Sequence, residues 1–138
     1  MIADHAPRQA TVFLVEDDAE SRISAELLLS VSGFTVFSFE SSEALLNSAD
    51  SLDQISSTEN ACILADLRLP ELNGLQLFHR LRNGHIDTPF VLISGHADEQ
   101  TIAQAMSAGV SEFLLKPVPP RNLIAVLKNA TRSNTVSE

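Results

Sequence analysis

The sequence predicts a doubly wound α/β domain on a five-stranded parallel sheet. Three observations predict it. Strand-like apolar runs alternate with helix-periodic stretches five times along 138 residues. The runs are apolar along their whole length rather than at every second position, which means a sheet covered on both faces with right-handed crossovers. No internal repeat divides the chain, and its length suits one domain able to bury about two-thirds of its unfolded surface.

Taken in order, "TVFLVE" (Thr11 to Glu16) is β-branched and aromatic and reads as a buried strand. From Ala19 the pattern turns helical: Ile23, Leu27 and Val31 recur four apart between Ser21, Arg22 and Glu26, and Gly33 stops the helix. "FTVFSF" (Phe34 to Phe39) is the second strand, and Ser41 or Ser42 caps a short helix around "SEALLNSA". "DSLDQISSTEN" (Asp50 to Asn60) is polar and reads as a loop with, at most, a helical end. "ACILAD" is the third strand. "LNGLQLFHRLRNG" carries Leu75, Phe78 and Leu81 at helical spacing and ends at Gly84. "PFVLIS" (Pro89 to Ser94) is the fourth strand, and "DEQTIAQAMSAG" a helix with acids in its first turn and Gly109 past its end. "SEFLLK" is the fifth strand. "PPRNLIAVLKNA" is the last helix, with prolines at its start, where a missing N–H does no harm. A leading tail (residues 1–9), a domain (10–131) and a polar tail or linker start (132–138) are the expected divisions.

Composition excludes several roles. A formal charge of −9 argues against nucleic-acid binding by this chain, because holding phosphates needs clustered Lys and Arg. The single cysteine, Cys62, lies in an apolar run and reads as a small buried hydrophobe; with no partner thiol it calls for no oxidising compartment. No apolar run approaches the roughly 20 residues that span a bilayer. The opening "MIADHAPRQA" holds Asp4 and lacks a continuous apolar stretch, so no secretory signal is read and a cytoplasmic location is expected.

In a parallel sheet every strand ends on the same side, and ligands bind there at the switch point of strand order. The residues at those ends are Glu16, Asp17 and Asp18, then Asp66, Ser94 and Lys116 with Pro117. Crowded carboxylates raise one another's pKa, and a hard divalent cation relieves that. Mg²⁺ takes oxygen ligands, keeps some waters, and is held by one or two carboxylates plus substrate phosphate, so Asp17, Asp66 and a carbonyl just after Asp66 are the candidate ligands. A carboxylate beside such a cation can attack phosphorus and form an acyl phosphate. Lys116 and Ser94 offer an ammonium and a hydroxyl to the phosphoryl oxygens. Singly, each group has an ordinary explanation: a solvated acidic loop, a capped turn before Pro70, a surface lysine, a serine in a turn before Gly95. Together they fall at four strand ends in a fold whose ligand site lies at those ends.

These residues carry a resemblance. "VEDD", "LADLRLPELNG", "VLISGHAD" and "FLLKPV" resemble, in order, the motifs of response-regulator receiver domains of two-component signalling, over residues ~10 to ~130, the span of one domain. The last two motifs look most like the subfamily whose receivers control a C-terminal helix-turn-helix DNA-binding domain. The resemblance implies a flavodoxin-like strand order, 2-1-3-4-5. It implies Asp66 as phosphoacceptor, Glu16 and Asp17 as the acidic pair binding Mg²⁺ (or Mn²⁺), and the Arg68 carbonyl as a further ligand. Ser94 becomes the hydroxyl switch residue, Lys116 the lysine that bonds the phosphoryl group, and the Lys116–Pro117 bond cis.

Strand pleating alone does not decide which two of the three acids point inward; the family's helix start favours Glu16 and Asp17, leaving Asp18 outside and solvated. Phe113 sits where the family commonly has an aromatic switch residue, and core packing is an equal reading of it. Arg68 and His96 would flank the acyl phosphate and govern its lifetime. The expected partner is a sensor histidine kinase. A homodimer on phosphorylation would use the face formed by the fourth helix, fifth strand and fifth helix (α4-β5-α5 in the family's five-helix order), where Ile102, Met106, Val110 and Leu123 are apolar. The chain would catalyse only its own phosphorylation and dephosphorylation. A Mg²⁺-dependent phosphohydrolase is disfavoured because Leu67 and Arg68, not a second acid, follow Asp66; a pseudo-receiver is disfavoured because no essential group is missing.

Overall fold

In the computed structural model, which describes residues 9–133, five strands form one parallel sheet in the order β2-β1-β3-β4-β5. The elements run β1 (Thr11–Val15), α1 (Ala19–Val31), β2 (Thr35–Phe39), α2 (Ser42–Leu46), α3 (Ala49–Ser57), β3 (Ala61–Asp66), α4 (Gly74–Asn83), β4 (Phe90–Ser94), α5 (Glu99–Ala108), β5 (Glu112–Leu115) and α6 (Pro120–Ser133). The expected leading tail lies outside the described residues except for Gln9.

The sheet divides two cores. Phe13, Val15, Ile63, Phe90 and Leu92 face α2 to α5, where they meet Leu45, Ile55, Leu77, Phe78 and Ala105. Val12, Leu14, Cys62, Leu64 and Val91 face α1 and α6, where they meet Leu29, Leu123 and Leu127. β1 and β3 are buried at every residue. The edge strands are also covered on both faces, but less completely: Phe37, Phe39 and Phe113 pack on one core and Val36 and Leu114 on the other, while β2 stays half-buried throughout and β5 half-buried or exposed. Cys62 is wholly buried, and that burial pushes its thiol up to about 12.

Three local readings are corrected. The polar stretch after residue 48 is mostly helix, not loop: Ser48 caps α3 by accepting from Ser51 N, and Ile55 anchors it in the core. On α1 the residues spaced four apart are not the core stripe. Ile23, Leu27 and Val31 are 60%, 64% and 75% exposed, while Leu29 is buried in the core and Ala25 and Leu28 pack against that same core. Finally, α6 runs on to Ser133, into the expected polar tail, because Thr131 is buried and its hydroxyl donates back to the Leu127 carbonyl at 2.9 Å. The strand ends of β1, β2, β4 and β5 differ from the sequence reading by one residue.

Candidate functional site

The carboxyl ends of β1, β3 and β5 bring Glu16, Asp66 and Lys116 into one cluster. Asp66 closes β3 and is 7% exposed. Its Oδ2 accepts from Lys116 Nζ at 2.8 Å, and its Oδ1 accepts from the Arg68 backbone N–H at 2.9 Å. Glu16, just past β1, is equally buried. Its Oε1 lies 3.8 Å from Lys116 Nζ, its Oε2 accepts from Asp18 N at 3.0 Å, and its N–H donates to Phe39 O. Lys116 is set by the sheet itself: its N–H donates to Ser94 O at 2.8 Å, continuing the β4–β5 ladder. The Lys116–Pro117 bond is cis.

The electrostatics follow from that geometry. Burial, reinforced by the negative charge of Asp66, raises the Glu16 carboxyl above the ordinary glutamate value; the Asp18 N–H and Lys116 only partly offset this. Burial works to lower the Lys116 ammonium, but its hydrogen bond to Asp66 and the charges of Asp66, Glu16 and Asp17 outweigh that and hold it above its usual value.

The other expected residues are placed as follows. Asp17 is exposed, and its charge is felt at Lys116. Asp18 is exposed as expected, and it also caps α1, accepting from Ser21 N at 2.9 Å, which lowers its pKa. Ser94 is wholly buried at the end of β4, but its hydroxyl donates to the His96 carbonyl at 2.9 Å and accepts from His96 N at 3.1 Å. Arg68 and His96 are exposed on the loops after β3 and β4. Phe113 is half-buried against the core that holds Phe90 and Leu92. Of the four apolar residues expected on the α5-β5-α6 face, Val110 and Leu123 are buried in the core and Ile102 is half-buried; Met106 is exposed, as is Leu115 of β5.

Two supports escaped the sequence reading. Arg22, half-buried in the first turn of α1, reaches back so that Nη1 donates to the Glu16 carbonyl at 2.9 Å. Gly74 opens α4 against the phosphoacceptor candidate: a Cβ there would stand 2.5 Å from the Asp66 carbonyl oxygen and 2.6 Å from Leu92 Cδ2. The glycine was read only as part of a motif. Its reason is the close approach of helix to strand.

Among the described residues, no group of three or more His, Cys, Asp and Glu side chains stands ready to hold a metal ion. The donor set is nonetheless suited to a hard cation. It pairs two carboxylates, Glu16 and Asp66, in a place where burial disfavours charge on Glu16, next to an exposed third. Mg²⁺ needs only one or two carboxylates, with waters and carbonyls completing its shell. Glu16 and Asp66 supply carboxylates of that kind.

A family model described as "Response regulator receiver domain" matches residues 12–128. Among curated proteins the chain is similar to "Transcriptional regulatory protein FixJ" of Bradyrhizobium diazoefficiens, 31% identical over 121 residues, covering 88% of this chain and 56% of that one. It is also similar to the FixJ protein of Rhizobium meliloti, 30% identical over 128 residues, covering 93% and 60%. The chain therefore spans little more than half the length of these relatives. Among solved structures, the one titled "CRYSTAL STRUCTURE OF FIXJ-N" superposes with a TM-score of 0.79 at 29% identity, covering 96% of this chain and all of that one. The response regulator StyR superposes with a TM-score of 0.80 at 29% identity, covering 92% and 61%.

Proposed function

Because the chain belongs to the response regulator receiver domain family, we infer that Asp66 is its phosphoacceptor and that phosphorylation there is its signalling event. Receiver domains take their phosphoryl group from sensor histidine kinases, and the family generally binds Mg²⁺ at the phosphorylation site. The observation that carries the reading is the Asp66 carboxylate itself. It is buried at a strand tip, clasped by Lys116 at 2.8 Å and faced by a second carboxylate.

In this reading an Asp66 oxygen attacks the phosphorus of a phosphohistidine, forming an acyl phosphate as the P–N bond breaks. The electron pair leaves with the imidazole, which picks up a proton. Glu16, Asp17, Asp66 and the Arg68 carbonyl would hold Mg²⁺, which when bound would neutralise charge on the phosphoryl oxygens. Lys116 supplies a second positive charge from the opposite element, and its place in the β4–β5 ladder makes that charge pre-positioned. Hydrolysis reverses the gain: water attacks phosphorus, the P–O bond to Asp66 breaks with its electron pair going to the restored carboxylate, and inorganic phosphate departs with the water's proton released or retained on it. Arg68 and His96, at the exposed mouth, govern how water arrives.

The phosphoryl group adds nearly two negative charges and strong acceptors. Ser94 then has a better acceptor than the His96 carbonyl. Its departure releases the loop after β4 and frees space toward β5, where Phe113 is half-buried. The output is a two-state shift of α5 and β5. The exposed Met106 and Leu115 support a phosphorylation-dependent homodimer through the α5-β5-α6 face. The whole protein's role is the control of transcription from the cytoplasm. No helix among the described residues is long and apolar enough to cross a membrane.

Intact mass after incubation with acetyl phosphate tests the core of the reading. The parent gains one phosphoryl group in the presence of Mg²⁺ and none with chelator, and Asp66→Asn gains none. An unchanged parent mass, or equal gain in Asp66→Asn, refutes it.

A further inference from the structure

The loop of residues 67–73 carries Arg68 and joins β3 to α4, and its ends are well fixed. Arg68 N donates to Asp66 Oδ1 at 2.9 Å. Asn73 caps α4 through a reciprocal pair of bonds with Gln76. Gly74 N donates to Leu67 O at 3.0 Å. Between those ends the chain makes an unfavourable turn, with Glu71 at φ 63, a left-handed conformation that a glutamate adopts only when its surroundings impose it.

The contact next to that turn comes from an element with no other part in the site. Ser42 and Glu43, in the first turn of α2, grip both backbone groups of Leu72. Ser42 Oγ donates to Leu72 O at 3.0 Å, and Leu72 N donates to Glu43 Oε2 at 3.1 Å. Ser42 is wholly buried, so its hydroxyl has no water to exchange for this bond. The Glu43 bond is charge-assisted. The preceding Ser41 caps α2 by accepting from Ala44 N at 2.9 Å, which fixes the turn from which both side chains reach.

We propose that Ser42 and Glu43 are positioning residues for the cation site: by holding Leu72 they hold the loop whose other end, Arg68, donates its N–H to Asp66 and offers its carbonyl as the candidate ligand. The inference rests on the phosphorylation-site reading for its purpose, but its geometry is independent of any phosphodonor. Groups hydrogen-bonded directly to a metal ligand commonly matter about tenfold or more to metal affinity; Ser42 and Glu43 act on Leu72, four residues along the backbone from Arg68, so about tenfold is the upper end of their effect.

The test uses the full 138-residue chain. Mg²⁺ binding is measured directly by calorimetry, the Leu72 amide by hydrogen exchange without metal, and folding by thermal unfolding. Glu43→Ala is expected to weaken Mg²⁺ binding severalfold, up to about tenfold, and to speed Leu72 exchange. Glu43→Gln, which keeps a carbonyl acceptor, is expected to stay within about twofold of the parent. Ser42→Ala should resemble Glu43→Ala; should it fail to fold, the half-buried Glu43 still carries the test. Unchanged Mg²⁺ affinity in Glu43→Ala despite faster Leu72 exchange would overturn the proposal, and so would equal losses in the Ala and Gln variants. A parent that binds Mg²⁺ but takes no phosphoryl group refutes the phosphoacceptor reading alone, with the grip still judged by calorimetry. A parent that binds no Mg²⁺ refutes the grip's role as well.

Discussion

Gly74→Ala is the sharpest single perturbation of this site. An added methyl would stand 2.5 Å from the Asp66 carbonyl oxygen and 2.6 Å from Leu92 Cδ2, where ordinary contact begins near 3.4 Å. Leu92 can turn a methyl aside, although it is itself wholly buried. The Asp66 carbonyl belongs to β3 and cannot, so either the start of α4 retreats or the strand tip does. Overpacking of this size costs about 1–3 kcal/mol. The gain from alanine's helix preference is at most about 1 kcal/mol, and less at a first helical position. The net loss should lower the Tm by about 3–10 °C for a chain of this length. Gly84→Ala is the matched control: its φ of −89° suits any residue and its nearest neighbours lie at 3.6 Å, so a slight rise in Tm of a few degrees is expected. Thermal unfolding followed by circular dichroism reads both. The Gly74 variant should also be phosphorylated more slowly, since Asp66 moves with its backbone. A Gly74→Ala protein that melts at or above the parent temperature would refute the claim that helix and strand are in forced contact.

Other variants separate the roles of the charged groups. Lys116→Met should keep the fold, since an ion pair whose lysine is 38% exposed contributes about 1 kcal/mol or less, yet slow phosphorylation by acetyl phosphate about a hundredfold; a rate near that of the parent would remove Lys116 from the chemistry. Glu16→Gln should raise the Tm at pH 7 in chelator while weakening Mg²⁺ binding. The folded state raises the Glu16 carboxyl, so the parent loses stability relative to the variant as pH climbs past the ordinary value of 4.5 through the folded one, and the two converge below 4.5. A stability gap that stays constant with pH would show that charge is not its cause. Arg68→Ala and His96→Ala should change the decay of the phosphorylated protein without preventing its formation, and decay rates equal to the parent's would exclude both from controlling water.

The sequence reading succeeded where a signal was local and redundant. Five apolar runs made the sheet legible, and four of them, closed by an acid, a hydroxyl or an ammonium group, made the cluster of Glu16, Asp66 and Lys116 legible, because parallel pairing forces strand ends together. It failed where burial depends on the partner rather than the pattern. On α1, Ile23, Leu27 and Val31 keep perfect helical spacing yet face water, since the sheet meets the turn of the helix that carries Leu29. The helix α3 was hidden because Leu52 and Ile55 alone carry its apolar face among polar residues. Ser42 reads in sequence as one of two candidate helix caps, and Glu43 and Arg22 as polar positions on their helices. Each acts on a backbone group, six residues away for Arg22 and about thirty for the other two, and side-chain chemistry in sequence gives no sign of such a partner.

With no Trp or Tyr in the chain, fluorescence offers little view of this molecule in solution. The thiol sealed in β3 is a substitute. Cys62 has no water contact, and its pKa of about 12 leaves almost no thiolate at neutral pH, so an alkylating reagent must wait for the sheet to part. Under excess reagent, the rate of modification becomes a gauge of how often the central strands separate. Read with and without a phosphoryl donor, that gauge reports how strongly the modification at one strand's tip tightens the strand behind it.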